Sequence, residues 1–314
     1  MNSRLVGAAD SAAFQERLLR TRTRIDATLD DLLSPTPREG EIARPARLLE
    51  AMRYSVLIGG KRLRPFLTME TARALGVEGE GPLRAAAAIE LVHCYSLAHD
   101  DLPAMDDDDV RRGRPTTHKA FDEATAILAG DALLTLAFDV MADAPTHPDG
   151  GVRAALCLGL ARASGMGGMA GGQMLDIAAE TAAAPLDHAA IGTLQAMKTG
   201  ALLRFSIEAG ALIAKATPRQ SAALSRFGAA IGAAFQIADD LLDAQGDESA
   251  LGKRTGKDVA RNKATLVASL GVIAARARLE QLVAQGQGAI AEAGLGEEGR
   301  FLRLAAQFIA SRQR

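Results

Sequence analysis

Apolar residues recur at three- and four-residue spacing along most of the chain. These runs predict helices over residues 12–33, 46–57, 65–75, 83–102, 121–143, 152–163, 186–214, 218–245, 264–284 and 298–311. Proline and glycine punctuate them at Ser34-Pro35-Thr36-Pro37, 79–82, 145–151, Pro185, Thr217-Pro218 and 286–288. No segment alternates apolar and polar residues over a strand length. Two of the runs, 85–102 and 227–243, are apolar almost all round, which places them inside a large bundle rather than on its surface. Each carries one polar stripe. On the first, His93, Ser96 and Asp100 fall at i, i+3 and i+7; on the second, Gln236, Asp240 and Asp243 fall at i, i+4 and i+7, with Asp239 beside them. Buried carboxylates are costly unless paired or metal-bound. The two stripes therefore predict one cavity lined from both sides.

Composition strengthens the helical reading. Of 314 residues 64 are alanine, none is tryptophan and aromatics total 4%. Alanine is the best helix former, and the residues that favour strands are scarce. The expected fold is all-α. No polar linker or 34- to 40-residue repeat divides the chain, so one domain over 1–314 is expected. With 36 basic and 38 acidic side chains the formal net charge is −2, which argues against a general nucleic-acid binder. No apolar run approaches the roughly 18 residues of a spanning helix, and residues 1–24 show no signal-peptide core, so neither a stable membrane span nor a leader is expected. Cys94 and Cys157 are the only cysteines. They exclude a disulfide framework and an all-cysteine zinc site, and they suit a cytoplasmic setting.

The chemistry concentrates in two acidic clusters. Six of the ten residues from Asp100 to Asp109 are aspartate, and Pro103 stops the preceding helix, so carboxylates crowd a helix C-terminus that the macrodipole makes unfavourable for anions. Hard oxygen ligands in such a place suit a divalent cation, and Mg²⁺ is held by a few carboxylates plus waters and substrate phosphates. An EF-hand is excluded, because the alternating ligands, central glycine and terminal glutamate are missing. The second cluster, Asp239-Asp240-Leu241-Leu242-Asp243, sets Asp239 and Asp243 one turn apart. Cations interleave with these acids: Gly59-Gly60-Lys61-Arg62-Leu63-Arg64 at a helix start, Arg111-Arg112-Gly113-Arg114, Lys198-Thr199-Gly200, and Lys253-Arg254 with Lys257. Metal-type carboxylates alternating with cations point to phosphorylated substrates. The glycine-rich run 165–172 lacks a flanking strand and a GxGxxG register, and is read as permitting close helix packing. His93 and Cys94 point to different helix faces, against a zinc site.

These motifs resemble the trans-isoprenyl diphosphate synthases (polyprenyl synthetases), most closely the bacterial farnesyl-producing branch. The resemblance rests on GGKRLRP at 59–65, LVHCYSLAHDDLPAMDDDDVRRGRPTTH at 91–118, ILAGDALL at 127–134, KTG at 198–200, FQIADDLLD at 235–243 and LGKRTGKD at 251–258. It implies the all-α isoprenoid synthase bundle, a homodimer, and condensation of isopentenyl diphosphate with dimethylallyl and then geranyl diphosphate. It also implies a cluster of three Mg²⁺ ions held by Asp100, Asp101, Asp106, Asp239, Asp240 and Asp243. By the same resemblance Arg111, Lys198 and Lys253 contact the allylic diphosphate, while Lys61, Arg64, His93 and Arg112 bind isopentenyl diphosphate. Thr199 and Gln236 line the reacting centre, Lys263 closes over it, and Tyr95 and Ser96 set product length. A geranylgeranyl-producing enzyme, a class I terpene cyclase and a non-catalytic subunit are the alternatives. The cyclase is disfavoured by DDLLD and GGKRLRP, the subunit by retention of both aspartate motifs.

Overall fold

The computed structural model describes residues 8–182, 184, 186–250 and 266–311, the side chains of 8, 243, 245–250 and 268 excepted. Among the described residues the chain forms α1 (Ala8–Leu32), α2 (Ala46–Leu57), α3 (Leu63–Ala74), α4 (Glu80–Asp100), α5 (Thr117–Ala120), α6 (Glu123–Ala142), α7 (Gly150–Ser164) and α8 (Met169–Glu180). It continues with α9 (His188–Gln195), α10 (Ala201–Ile213), α11 (Pro218–Ala250), α12 (Leu266–Leu270), α13 (Val272–Glu292) and α14 (Arg300–Ala310). The fold is all-α, as expected. Among the described residues its one departure is a hairpin of two-residue strands, β1 (Val110–Arg111) and β2 (Arg114–Pro115), paired antiparallel. The two turn residues, Arg112 and Gly113, both have positive φ, 53° and 76°, the geometry of a tight hairpin.

Two apolar cores share the bundle. One gathers α2, α4, α6 and α7 around Ile89, Leu91, Leu133 and Leu160. The other gathers α3, α11, α13 and α14 around Phe66, Phe227, Ile231 and Leu302. Helix α10 is apolar on both flanks and belongs to both, giving Phe205 and Ala209 to the first and Leu203 and Ile207 to the second. Four consecutive alanines, Ala85 to Ala88, are fully buried on α4, so neighbouring helices approach its axis closely on every side.

Several element boundaries differ from the sequence expectation. Helix α8 covers part of the stretch left unassigned after the glycine run. Helix α11 runs past Gly246 to Ala250, and α13 runs through Gly286 and Gly288. A lone glycine costs a helix only about 1 kcal/mol, and at Gly286 a Cβ would stand 3.3 Å from the Phe227 ring, so the missing side chain brings α13 onto α11. The expected run 264–284 instead breaks at Gly271, whose φ is +82°. Helix α6 corrects a further expectation: over its 20 residues it is long and apolar enough to cross a membrane by length and composition. Half of that window is buried in the bundle, where α6 packs on α4 and α7. Asp131 and Asp139 interrupt the run and conceal it from a search for unbroken apolar sequence.

Candidate active site

Helix α4 ends at Asp100, and the chain after it folds back over the helix terminus. Backbone N–H groups of Asp106 and Asp108 donate to the carbonyls of Asp100 and Asp101, at 2.8 and 3.2 Å. These bonds satisfy carbonyls that a helix end leaves without partners, and they carry Asp106 back towards Asp100. Burial pushes the Asp100 carboxyl up to about 6; Asp106 and Asp101 push the same way, against the pull of Lys198 and Arg111. Asp101 is buried, and its carboxyl too is raised by burial, opposed by Arg111. The hairpin delivers that arginine: Arg111 donates to Asp101 at 2.6 Å and lies 3.6 Å from Asp108.

On α11, Asp240 is buried and held from two sides. Its carboxylate accepts from Gln236 one turn earlier at 2.9 Å and from Gln195 of α9 at 3.0 Å. Helices α9 and α10 join through a wide i→i+5 turn over Ala196–Gly200, a local widening that recurs at functional sites. Lys198 on this turn donates to Asp176 of α8 at 2.5 Å. Gly172 of α8 touches the same turn: a Cβ there would sit 2.1 Å from the Lys198 nitrogen, so the glycine run does permit close packing.

The four residues expected at the isopentenyl diphosphate line one cavity, and of the expected allylic set Lys198 lines a second while Arg111 lines neither. The larger, about 660 Å³, is lined by Lys61, Arg64, His93 and Arg112 together with Phe235 and Phe308. The smaller, about 330 Å³, is lined by Tyr95, Ser96, Asp100, Lys198 and Thr199, with Met169, Gln173 and Met174 of α8 forming a wall. Arg64 and His93 line both. Gly60, at φ +149°, lets the Arg112 guanidinium approach; a Cβ would stand 2.8 Å from Arg112 Nη1, which donates to the Gly59 carbonyl. Arg64 is enclosed, and among the described residues its Nε has no hydrogen-bond partner. Burial lowers its proton affinity, while Glu90, Cys94 and Asp239 restore part of it. His93 is held well below 6.5 by burial and by Arg64 and Arg112, so it is neutral at neutral pH and one ring nitrogen can donate. Arg62, between Lys61 and Arg64, turns inward instead and pairs with Glu90 at 2.7 Å and Asp26 at 2.9 Å.

The fit of a divalent cation can be judged from this donor set. Among the described residues no three His, Cys, Asp or Glu side chains form a ready nest. Asp100 and Asp106 nevertheless stand close enough to raise Asp100's proton affinity, and burial raises it further. Hard carboxylates that hold protons too tightly gain from a cation that keeps its own waters. The carboxylate donors fit a hard divalent cation.

The sequence model of the polyprenyl synthetases matches residues 45–293, from the residue before α2 to the residue after α13. The chain belongs to the polyprenyl synthetase family. Farnesyl diphosphate synthase of Escherichia coli K12 is 44% identical over 273 residues, covering 86% of this chain and 89% of that protein. The enzyme of the same name from Geobacillus stearothermophilus is 48% identical over 238 residues, covering 75% and 79%. The crystal structure of an FPP/GFPP synthase from Zymomonas mobilis superposes with a TM-score of 0.85 at 41% identity, covering 96% of this chain and 99% of that one.

Within this polyprenyl synthetase, Lys253, Lys263 and the Asp243 side chain lie outside the described residues. Sequence reasoning missed Gln195, Asp176 and Gln173. The i, i+3 spacing of Gln173 and Asp176 was the available signal, hidden by leaving α8 unassigned. Gln195 carries no local signal, because its partner lies 45 positions away.

Proposed function

We infer that this chain is a prenyltransferase that joins isopentenyl diphosphate to dimethylallyl and then geranyl diphosphate, yielding (2E,6E)-farnesyl diphosphate. The observation that carries the reading is the pair of cavities meeting at Arg64 and His93. One is lined by cations and the other by Asp100, Lys198 and Thr199. Family membership and the farnesyl-forming relatives support the same reaction.

Lys61, Arg64, His93 and Arg112 bind the isopentenyl diphosphate. Arg111, Lys198 and Lys253 bind the allylic diphosphate. Asp100, Asp101, Asp106, Asp239, Asp240 and Asp243 would hold three Mg²⁺ ions, which when bound neutralise charge on the leaving diphosphate. The allylic C1–O bond breaks, and Lys198 and Arg111 meet the negative charge that grows on the departing oxygen. Met169 and Ile177 give the cavity an apolar wall that keeps water from the allylic cation. The isopentenyl double bond attacks C1, and the proton lost from the new chain passes to the departed diphosphate. Thr199 and Gln236 line this reacting centre, and Lys263 closes over it. We place the enzyme in the cytoplasm as a single-domain homodimer. Unpaired Cys94 and Cys157 and the exposed apolar Ile127 and Leu128 on α6 support that placement.

Incubation with Mg²⁺, dimethylallyl diphosphate and isopentenyl diphosphate tests the reaction. Release of diphosphate with a C15 product is expected; absence of any prenyl product would overturn it. Product length has its own test. Tyr95 and Ser96 line the smaller cavity on the turns of α4 before Asp100, and Tyr95 stands edge-on to His99 at 5.6 Å. Its ring floors the path of the growing chain, so Tyr95→Ala should shift product from C15 towards C20. An unchanged C15 product from an active variant would put the floor elsewhere.

A further inference from the structure

Gln173 is the one buried side chain in the smaller cavity whose two polar atoms both lack a partner among the described residues. It is 8% exposed, and neither Oε1 nor Nε2 makes a hydrogen bond. An amide that gives up water without replacing it destabilises a fold. The pairing of buried polar groups nearby makes the omission local: Gln195, equally buried, donates to Asp240, and Lys198 is paired with Asp176.

The position of Gln173 follows from its neighbours on α8. Gly172, one residue before, abuts the backbone of Lys198. Asp176, one turn after, pairs with the Lys198 ammonium. Gln173 is thus bracketed by two contacts to the residue assigned to the allylic diphosphate. It faces the cavity with Met169, Ala170, Met174 and Ile177, all apolar, so that wall offers its amide no partner. A ligand bound in the cavity can supply one.

We propose that Gln173 is a substrate-binding residue whose amide NH₂ donates to the diphosphate end of the allylic substrate, beside Lys198. The amide oxygen then faces the carbon from which the diphosphate departs and opposes no charge there, unlike a lysine or arginine. This assignment rests on the prenyltransferase reading, and the experiment separates the two. Wild-type enzyme is first shown to form prenyl product; without that, the prenyltransferase reading itself fails. Binding of geranyl diphosphate alone, with Mg²⁺ and no isopentenyl diphosphate, is then measured by calorimetry for wild type, Gln173→Leu and Gln173→Met. Both replacements fill a similar volume and remove the unsatisfied amide.

The expected result has opposite signs. Each variant melts at or above the wild-type temperature, because exchanging an unpaired buried amide for an apolar group of like shape is neutral or stabilising. Each binds geranyl diphosphate roughly ten- to hundredfold more weakly, the loss of one charge-assisted hydrogen bond. The KM for isopentenyl diphosphate stays within about twofold. Wild-type affinity for geranyl diphosphate in a folded variant would overturn the proposal. So would a lowered melting temperature with equal losses for both substrates, which would mark Gln173 as a packing residue. If Gln173→Leu does not fold, Gln173→Met carries the measurement, and failure of both to fold would assign the amide a structural role and overturn the proposal.

Discussion

Asp100 stands where three effects raise its proton affinity: burial, the neighbouring carboxylates and the C-terminal end of α4. Its folded-state value of about 6 lies above the ordinary 3.8. The folded protein therefore holds this proton more tightly than the unfolded chain does. The resulting stability is complete below about pH 4 and is lost as pH rises through about 6. In metal-free buffer Asp100→Asn should melt higher than wild type at pH 8, and the difference should close as pH falls to 4. Thermal melts at pH 4, 6 and 8 check this; a difference independent of pH would remove burial as the cause. Excess Mg²⁺ should raise the wild-type melting temperature more than that of the variant, because binding to the folded state stabilises it. Turnover of the variant should fall by orders of magnitude. Lys61, by contrast, is exposed at the rim of the larger cavity. Lys61→Ala should leave the melt unchanged and raise the KM for isopentenyl diphosphate roughly ten- to hundredfold, the loss of one charge-assisted phosphate contact. A rise in the allylic KM instead would exchange the two diphosphate sites.

Among the elements, α8 and the wide turn at Ala196–Gly200 act as a pair, and Gly172 sets their separation. Gly172→Ala would drive a methyl group into the Lys198 backbone and displace both the lysine and the cavity wall. Overpacking of this kind costs about 1–3 kcal/mol, and the allylic kcat/KM should fall with it. Gly192→Ala on α9, where nothing lies within 4 Å of the added carbon, should be neutral or stabilising by up to about 1 kcal/mol. Melting curves and allylic kinetics of the two variants provide the comparison, and equal behaviour would mean that α8 adjusts freely. The same elements show where sequence reading stops. The stripe His93, Ser96 and Asp100 was legible because one helix carries all three at helical spacing, and all three line the smaller cavity. Helix α8 was not assigned, because its opening glycines signal close packing without marking where a helix begins. The pairs Lys198–Asp176 and Gln195–Asp240 join residues on separate elements, and no local pattern announces such a meeting.

Over the whole molecule, the two cavities depend on how α1 to α4 are tied together, and Arg62 makes the tie. It is fully buried at φ 49°, just before α3. It donates to Glu90 of α4 at 2.7 Å, to Asp26 of α1 at 2.9 Å and to the Val56 carbonyl of α2 at 2.7 Å. Desolvation opposes its charge, but Glu90 and Asp26 outweigh it and raise its proton affinity above the ordinary value. Lys61 and Arg64 flank it in sequence, so the inward pull on Arg62 fixes the turn that lines the larger cavity with both. Glu90 is 3% exposed, and its removal from Arg62 would strand a charge. Arg62→Met should therefore cost about 3–5 kcal/mol, the usual effect of breaking a buried pair from one side. Joint replacement, Arg62→Met with Glu90→Met, leaves neither charge stranded and should recover most of that loss, since a buried pair adds little over apolar packing of similar volume. The double-mutant cycle by denaturant unfolding reads the coupling. The isopentenyl diphosphate KM should behave differently. It should rise in Arg62→Met and stay raised in the recovered double variant, because stability returns while the turn bearing Lys61 and Arg64 remains released. A double variant with both stability and KM restored would mean that packing alone shapes the turn, with no contribution from the buried charge.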